Sequence, residues 1–434
     1  MSSARTADQE RRLQQAAELV EAGRLEEAAA RYEAILEGAP DQPDALHHAG
    51  LIAYQQGDLP AAIERLQRAV SAAPDEARVH CNLGLALRAA GDSDGARQCC
   101  ERALAVEPGF GQAHYHLGVL AFEAEDYDEA RDHYRAAIAA EPEFREAHYN
   151  LAHALQKLGQ EREAIDAYRR AVEADPGYER AWLNLANALH SAERWTDALG
   201  AYRSYLELRP DQPSAAHMVA AIEGHGADRC PRQFVEDLFD SYADEFDQLL
   251  VEDLGYQTPG QLARLVADDD RDRRFDRALD LGCGTGLVGA ELRSRCRHLT
   301  GVDLSGGMIA EAERRGVYDE LRQADLVEFL DAATCSFDLI VAADVFVYLG
   351  DLEPCVAAAR GAAVPNARFA FSTEAGRGES EGFTLLRTGR FAHQRSYVEG
   401  LAARQGFTVL GTRDLILRQD HGRPIRGHLF LLAC

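Results

Sequence analysis

"RALDLGCGTGLVGAEL", residues 277–292, fits two ligand-turn patterns at once. From Gly284 it reads G-T-G-L-V-G, the G-x-G-x-x-G spacing of dinucleotide-binding turns. From Asp280 it reads D-L-G-C-G-T-G, a carboxylate leading three alternating glycines. Both readings run an apolar strand, "RALDL", into glycines that let backbone approach a ligand, so the stretch predicts a strand–turn–helix unit of an α/β domain. The end of the strand separates them. The strand stops at Leu281 and Gly282 opens the turn. The frame from Gly284 therefore begins two residues late, and a frame from Gly282 has its third glycine one position early. A carboxylate at the strand's tip would face a pyrophosphate unfavourably, whereas it suits a ligand that brings an ammonium group.

Downstream, short apolar runs alternate with helical stretches, as a parallel sheet requires. Strands are expected near 277–281, 298–303, 337–343, 368–373, 407–415 and 427–433, with a weaker one at 321–324. Only "RQDHGRPIR" separates the last two, which predicts an antiparallel hairpin closing a mostly parallel, seven-stranded sheet. Three further segments follow the glycine turn in order: "LTGVDLSGGMIAEA" (299–312), "RQADLVEFL" (322–330) and "SFDLIVAADVFVYLGDL" (336–352).

This succession resembles the α/β Rossmann-like domain of class I methyltransferases that use S-adenosylmethionine. The resemblance implies a role for each matching position. Asp280 would serve the ammonium side of the methionine moiety, directly or through water, and Gly282, Gly284 and Gly286 would form the turn. Asp303 would hold the ribose hydroxyls and Met308 would lie against the adenine. Asp325 would reach the adenine amine, Leu326 would offer its backbone, and Asp344 would mark the tip of the fourth strand. Ahead of the turn, "FVEDLFDSYADEFDQLLVEDLGY" (234–256) repeats apolar residues at helical spacing. It resembles the leading helix that lids the cofactor in small-molecule methyltransferases such as the malonyl-carrier-protein methyltransferase group, with Tyr242 closing over the carboxylate end.

The first half of the chain is a repeat. Pro40, Pro74, Pro108, Pro142, Pro176 and Pro210 are spaced by 34 residues, and Ala28, Ala62, Ala96, Ala130, Ala164 and Ala198 keep the same step. So do the small residues Ala16, Gly50, Gly84, Gly118, Ala152 and Ala186. Small residues let paired helices approach, proline ends the second helix, and a bulky residue one turn after each Ala faces the same neighbour. Period and residue types match the tetratricopeptide repeat, an all-α solenoid. Six repeats are expected over 9–212, a capping helix and linker over 213–230, and the α/β domain over 231–434. Two residues before each small position lie Gln14, His48, Asn82, His116, Asn150 and Asn184. In the resembling family this row faces the groove, where Asn82, Asn150 and Asn184 would each give a donor and an acceptor to an extended peptide.

The whole arrangement resembles bacterial proteins that fuse tetratricopeptide repeats to a class I methyltransferase, including "DLFDSYADEFD", "AADVFVYLGDL" and "GRFAHQRSYVEGLA". The activity implied is methyl transfer from S-adenosylmethionine, with a protein or peptide recruited by the repeat groove. Two alternatives stand: a small-molecule methyltransferase whose repeats serve assembly only, and a non-catalytic scaffold. The donor methyl is already activated, so a catalytic triad is not required, and none is evident. Acceptors would enter beside "EAGRGESEGFTLLRTGRFAHQRSY" (374–397). That segment offers His393 as a general base, Arg390 for an anionic group and Tyr397 for substrate contact.

Charge and cysteine usage narrow the partners. The net charge of −26 argues against a nucleic-acid backbone. Nine cysteines with no C-x-x-C spacing fit free thiols in a cytoplasmic protein and give no metal-ligand pattern. No apolar run is long enough to span a membrane.

Overall fold

In the computed structural model, residues 2–243, 247, 256–376, 382–420 and 422–434 are described. They form two compact units, Met1–Arg194 and Trp195–Cys434. The division falls inside the sixth repeat.

The first unit holds eleven helices among the described residues. They are α1 (Ser2–Glu21), α2 (Leu25–Gly38), α3 (Pro43–Gln55), α4 (Leu59–Ala72), α5 (Ala77–Ala89), α6 (Ser93–Val106), α7 (Gly111–Glu123), α8 (Tyr127–Ala140), α9 (Arg145–Lys157), α10 (Glu161–Ala174) and α11 (Glu179–Ser191). The alanine ladder is buried throughout, and so are Tyr32, Leu66, Cys100, Tyr134 and Tyr168 one turn later. Each bulky residue fills the space left by the small residue of its partner helix. A Cβ on Gly118 would lie 2.7 Å from the Tyr134 ring, and one on Gly50 would lie 2.8 Å from Leu66 Cγ.

Two further ladders keep the register. Asp58, Asp92 and Asp126 cap α4, α6 and α8 by accepting from Ala61, Gly95 and Glu129 N–H, which satisfies donors that a helix start leaves unpaired. His80, His114, His148 and Trp182 each place a ring nitrogen 2.8–3.2 Å from the carbonyl of Pro74, Pro108, Pro142 and Pro176. The repeat proline thus does more than stop a helix: its oxygen anchors the next one.

The second unit opens with α12 (Trp195–Leu208) and α13 (Pro213–Glu223). Then come α14 (Arg232–Tyr242), α15 (Thr258–Asp269), β1 (Phe275–Leu281), α16 (Leu287–Leu292), β2 (Cys296–Asp303), α17 (Gly306–Arg315), β3 (Glu320–Gln323) and α18 (Leu326–Ala332). They are followed by β4 (Phe337–Ala342), α19 (Glu353–Ala362), β5 (Ala363–Ala375), β6 (Phe383–Leu385), β7 (Phe391–His393), α20 (Arg395–Arg404), β8 (Thr408–Asp420) and β9 (Arg423–Ala433). β1 to β5 are parallel, in the order β3-β2-β1-β4-β5. β9 pairs antiparallel with both β5 and β8. One face of the sheet is packed by Leu279, Leu281, Phe346, Phe369 and Phe371, the other by Ala278, Leu339, Val341, Ala370 and α15.

The seven expected strands are present, and the structure adds two short ones. β6 and β7 pair with each other, and β7 pairs in parallel with the tip of β5. The final hairpin is also longer than expected, since β8 runs to Asp420. The turn between β6 and β7 docks on α13. Gly389 O lies 2.8 Å from His217 Nε2 and accepts from Cys230 Sγ at 3.3 Å, inside a cluster with Leu385 and Phe391. The expected capping helix is therefore built into the second unit.

Candidate cofactor and acceptor site

The glycine turn follows from its backbone angles. Gly282, Gly284 and Gly286 have φ of 64°, 52° and 95°, which side-chain-bearing residues avoid. A Cβ on Gly282 would also meet Val345 Cγ2 at 2.4 Å. Gly289, which completes the competing dinucleotide spacing, lies inside α16, and a Cβ there would meet Tyr318 Oη at 2.4 Å.

Four carboxylates lie at or just beyond the C-terminal ends of β1, β2, β3 and β4. Asp280 is fully buried; its Oδ2 accepts from Tyr318 Oη–H at 2.7 Å, and its Oδ1 accepts no hydrogen bond among the described residues. Burial pushes its carboxyl up to about 7, against the stabilising Tyr318 hydroxyl. Asp303, partly exposed at the end of β2, accepts from Gly284 N–H and Ser305 N–H at 2.9 Å each. That clamps the carboxylate onto the turn while leaving lone pairs for hydroxyl donors. Burial raises its carboxyl as well. Asp325 caps α18 by accepting from Val327 N–H at 2.9 Å, and its Oδ2 accepts from Arg229 Nη2 at 2.7 Å. Burial pushes Asp325 up, but the guanidinium and the helix amides outweigh it and hold the carboxyl below its ordinary range. Asp344, one residue beyond Ala343 at the tip of β4, has φ 56°, a conformation that costs energy for a non-glycine residue. Ser372 Oγ holds it there, accepting from its N–H at 2.7 Å and donating to Oδ1 at 3.0 Å.

The remaining expected cofactor positions lie close by. Met308 is buried in the first turn of α17, whose cap Ser305 accepts from Met308 N–H. Leu326 opens α18 and packs partly against the main core. α14 crosses the start of α17: Asp240 accepts from Ser305 Oγ–H and from Gly307 N–H. Tyr242 ends α14, and its side chain lies outside the described residues. Asp247 accepts from Thr285 Oγ1–H and pairs with Arg315.

The expected acceptor-side residues lie in and around β7 and at the start of α20. His393 has no exposed surface; one ring nitrogen lies 3.0 Å from Gly350 O, and burial pushes its pKa down to about 4. It sits inside the sheet edge, and its Nδ1 has no hydrogen-bond partner among the described residues. Tyr397 donates to Asp351 Oδ1 and accepts from Leu352 N–H, so its hydroxyl organises the loop after β4. Arg390 precedes β7, and its charge bears on Glu374 and Tyr348. The unforeseen residue is Arg418. Its guanidinium, 7% exposed, lies 3.1 Å from Glu374 Oε2 and 3.4 Å from Asp344 Oδ2. It thereby joins the tips of β4, β5 and β8. Its sequence position reads as a hairpin loop, and only the longer β8 brings it inside.

In the solenoid, each asparagine of the expected groove row already uses its amide. Asn150 Nδ2–H donates to Tyr115 Oη at 3.1 Å and Asn184 Nδ2–H to Tyr149 Oη at 2.9 Å, while Asn82 Nδ2 lies 2.7 Å from His47 Nε2. These contacts tie each repeat to the one before. With those amide donors engaged, the row is less of a donor array than its residue type suggests.

Comparison with known proteins finds matches along both parts of the chain. Residues 279–369 match the family described as "Methyltransferase domain". Tetratricopeptide-repeat families match 81–143 and 149–213, and 19–83 and 121–167. The chain therefore joins tetratricopeptide repeats to a methyltransferase domain. Among curated proteins, it is 42% identical over 79 residues to a malonyl-[acyl-carrier protein] O-methyltransferase of Enterobacter lignolyticus, covering 18% of this chain and 29% of that one. It is 29% identical over 101 residues to a ubiquinone biosynthesis O-methyltransferase of Hahella chejuensis, covering 22% and 42%. The matches thus span well under half of each relative's own length. A solved structure of magnesium protoporphyrin IX methyltransferase from Synechocystis PCC 6803 with bound SAH is similar at 17% identity and a TM-score of 0.36, over 46% of this chain and 98% of that one. Among the described residues, no helix is long and apolar enough to cross a membrane, and no group of three metal-ligating side chains occurs.

Proposed function

We propose that the second unit transfers a methyl group from S-adenosylmethionine and that the solenoid recruits a protein or peptide as substrate or partner, in the cytoplasm. The observation that carries the reading is the Asp303 carboxylate clamped on Gly284 N–H beside a buried Asp280 whose Oδ1 lacks a partner among the described residues. The residues fit that cofactor: Asp280 toward the ammonium, Gly282, Gly284 and Gly286 along the turn, and Asp303 toward the ribose. Met308, Leu326 and Asp325 complete the adenine side. When bound, the cofactor supplies a methyl group on a sulfonium, already activated for displacement.

The chain's own part is then to align an acceptor, exclude water and take up a proton where the acceptor brings one. Asp344 and Glu374, joined by Arg418, are the polar groups placed at the strand tips for the acceptor, with Arg390 nearby for an anionic group. A labelled-methyl transfer assay on lysate from a strain lacking the protein tests the reading, comparing the full chain with 195–434. A cut at 194 respects the compact unit, which begins at Trp195. Labelling of a protein by the full chain, lost in the truncation, supports recruitment. Undiminished labelling of a small molecule by the truncation favours the alternative in which the repeats serve assembly. Asn150→Ala with Asn184→Ala is expected to weaken partner capture without altering cofactor affinity, and unchanged capture would reject a role for that row.

A further inference from the structure

Tyr318 is not part of any turn or strand motif, yet it occupies a slot shaped for it. Added Cβ atoms on Gly286, Gly289 and Gly301 would lie 3.1, 2.4 and 3.0 Å from its atoms. Three glycines from the turn, α16 and β2 thus leave room for one ring, and its hydroxyl ends on Asp280 Oδ2 at 2.7 Å. Among the described residues the other oxygen of that buried carboxylate accepts no hydrogen bond, although the Gly289 N–H also favours the ionised form. An unpaired, fully buried carboxylate oxygen is costly unless protonated or met by a ligand donor.

We infer that Tyr318 is a positioning residue that holds Asp280 for the ligand's ammonium group, and that filling the site with an amino-acid-bearing nucleoside expels a proton from Asp280. The inference rests on the S-adenosylmethionine reading above. The sign follows from the charges. Burial holds the free carboxyl near pKa about 7, so a large share is protonated at neutral pH. An ammonium beside it favours the ionised form, and the proton leaves on binding.

Among the described residues, the other titratable groups near Asp280 are Tyr318 itself, Cys283 in the turn, Cys296 at the start of β2, Tyr256 ahead of α15 and Asp303. Burial raises both tyrosines and both thiols, so they stay neutral in this range. Asp303 is the remaining carboxylate, and the choice of ligands separates it from Asp280.

The test is titration calorimetry of the full chain in buffers of differing ionisation enthalpy, from about pH 6 to about pH 8. It uses S-adenosylhomocysteine, which carries the ammonium, and methylthioadenosine, which keeps the nucleoside and lacks the amino acid. S-Adenosylhomocysteine is expected to release a proton and to bind about tenfold more tightly at the upper end of the range. Methylthioadenosine is expected to do neither, which assigns the proton to Asp280 and not to Asp303. Tyr318→Phe removes the hydroxyl, raises the Asp280 carboxyl further and shifts the S-adenosylhomocysteine profile to higher pH, with affinity recovered there and methylthioadenosine binding unchanged. A fold defect would weaken both ligands at every pH. S-Adenosylhomocysteine binding without pH dependence or proton release would overturn the inference and leave the cofactor reading standing. Binding of neither ligand by the wild type would overturn the cofactor reading itself.

Discussion

The two units solve the same problem, pairing buried polar groups and filling gaps, in opposite ways. In the solenoid one solution is copied: Gly50 receives Leu66, Gly84 receives Cys100, Gly118 receives Tyr134, and a ring nitrogen meets the carbonyl of one proline after another. In the second unit each solution occurs once and is long-range. Tyr318 reaches Asp280 across 38 residues, Arg418 reaches Asp344 across 74, and His217 reaches Gly389 across 172. Repetition spreads the consequence of a change over similar neighbours, whereas a unique buried contact concentrates it.

The sharpest break of that contrast is Arg418→Met. It leaves Asp344 and Glu374 without their buried partner, and denaturant unfolding of 195–434 should show a loss of about 3–5 kcal/mol. Adding Glu374→Gln should recover part of it. Gly118→Val is the solenoid counterpart. It drives a side chain into the Tyr134 ring, and unfolding of 1–194 should show a smaller loss of about 1–3 kcal/mol.

Acidification compares the units on equal terms, because each buries a histidine. Burial pushes His47 in the first and His393 in the second down to about 4. The unfolded chain binds protons at these residues below its ordinary pKa of about 6.5 while the folded chain does not. Stability contributed by the neutral rings is present above that value. It should fall as pH drops toward about 4, in both units, as thermal melts across the range would record. His393→Asn should flatten the profile of 195–434 alone. The smallest expected effect is His148→Ala, which removes one rung of the proline ladder and should cost 1–194 about 1 kcal/mol, with the other rungs intact.

The same contrast explains what could be read from the sequence. The repeat register was legible because every contact recurs at one spacing, although the His80, His114, His148 and Trp182 rungs escape notice because histidine and tryptophan share only a ring N–H. Asp280, Asp303 and Asp325 were legible because each lies next to its strand end and its glycine or helix start. Tyr318 and Arg418 were not, since nothing local marks a residue whose partner sits on another strand. β6 and β7 were missed because three residues give too little periodicity. His393 reads as a candidate base from the pKa range of histidine and its place after the fifth strand, and only the pairing of β7 with β5 shows why it is buried.

The central claim is that the turn led by Asp280 holds a sulfonium-bearing nucleoside and not a dinucleotide. Equilibrium binding of S-adenosylhomocysteine and of NAD to the wild type and to Asp303→Ala tests it most directly. The account predicts saturable, one-to-one binding of S-adenosylhomocysteine, weakened by about a hundredfold or more in Asp303→Ala through loss of the clamped carboxylate's paired hydrogen bonds, and no binding of NAD. Saturable binding of NAD with none of S-adenosylhomocysteine would contradict it.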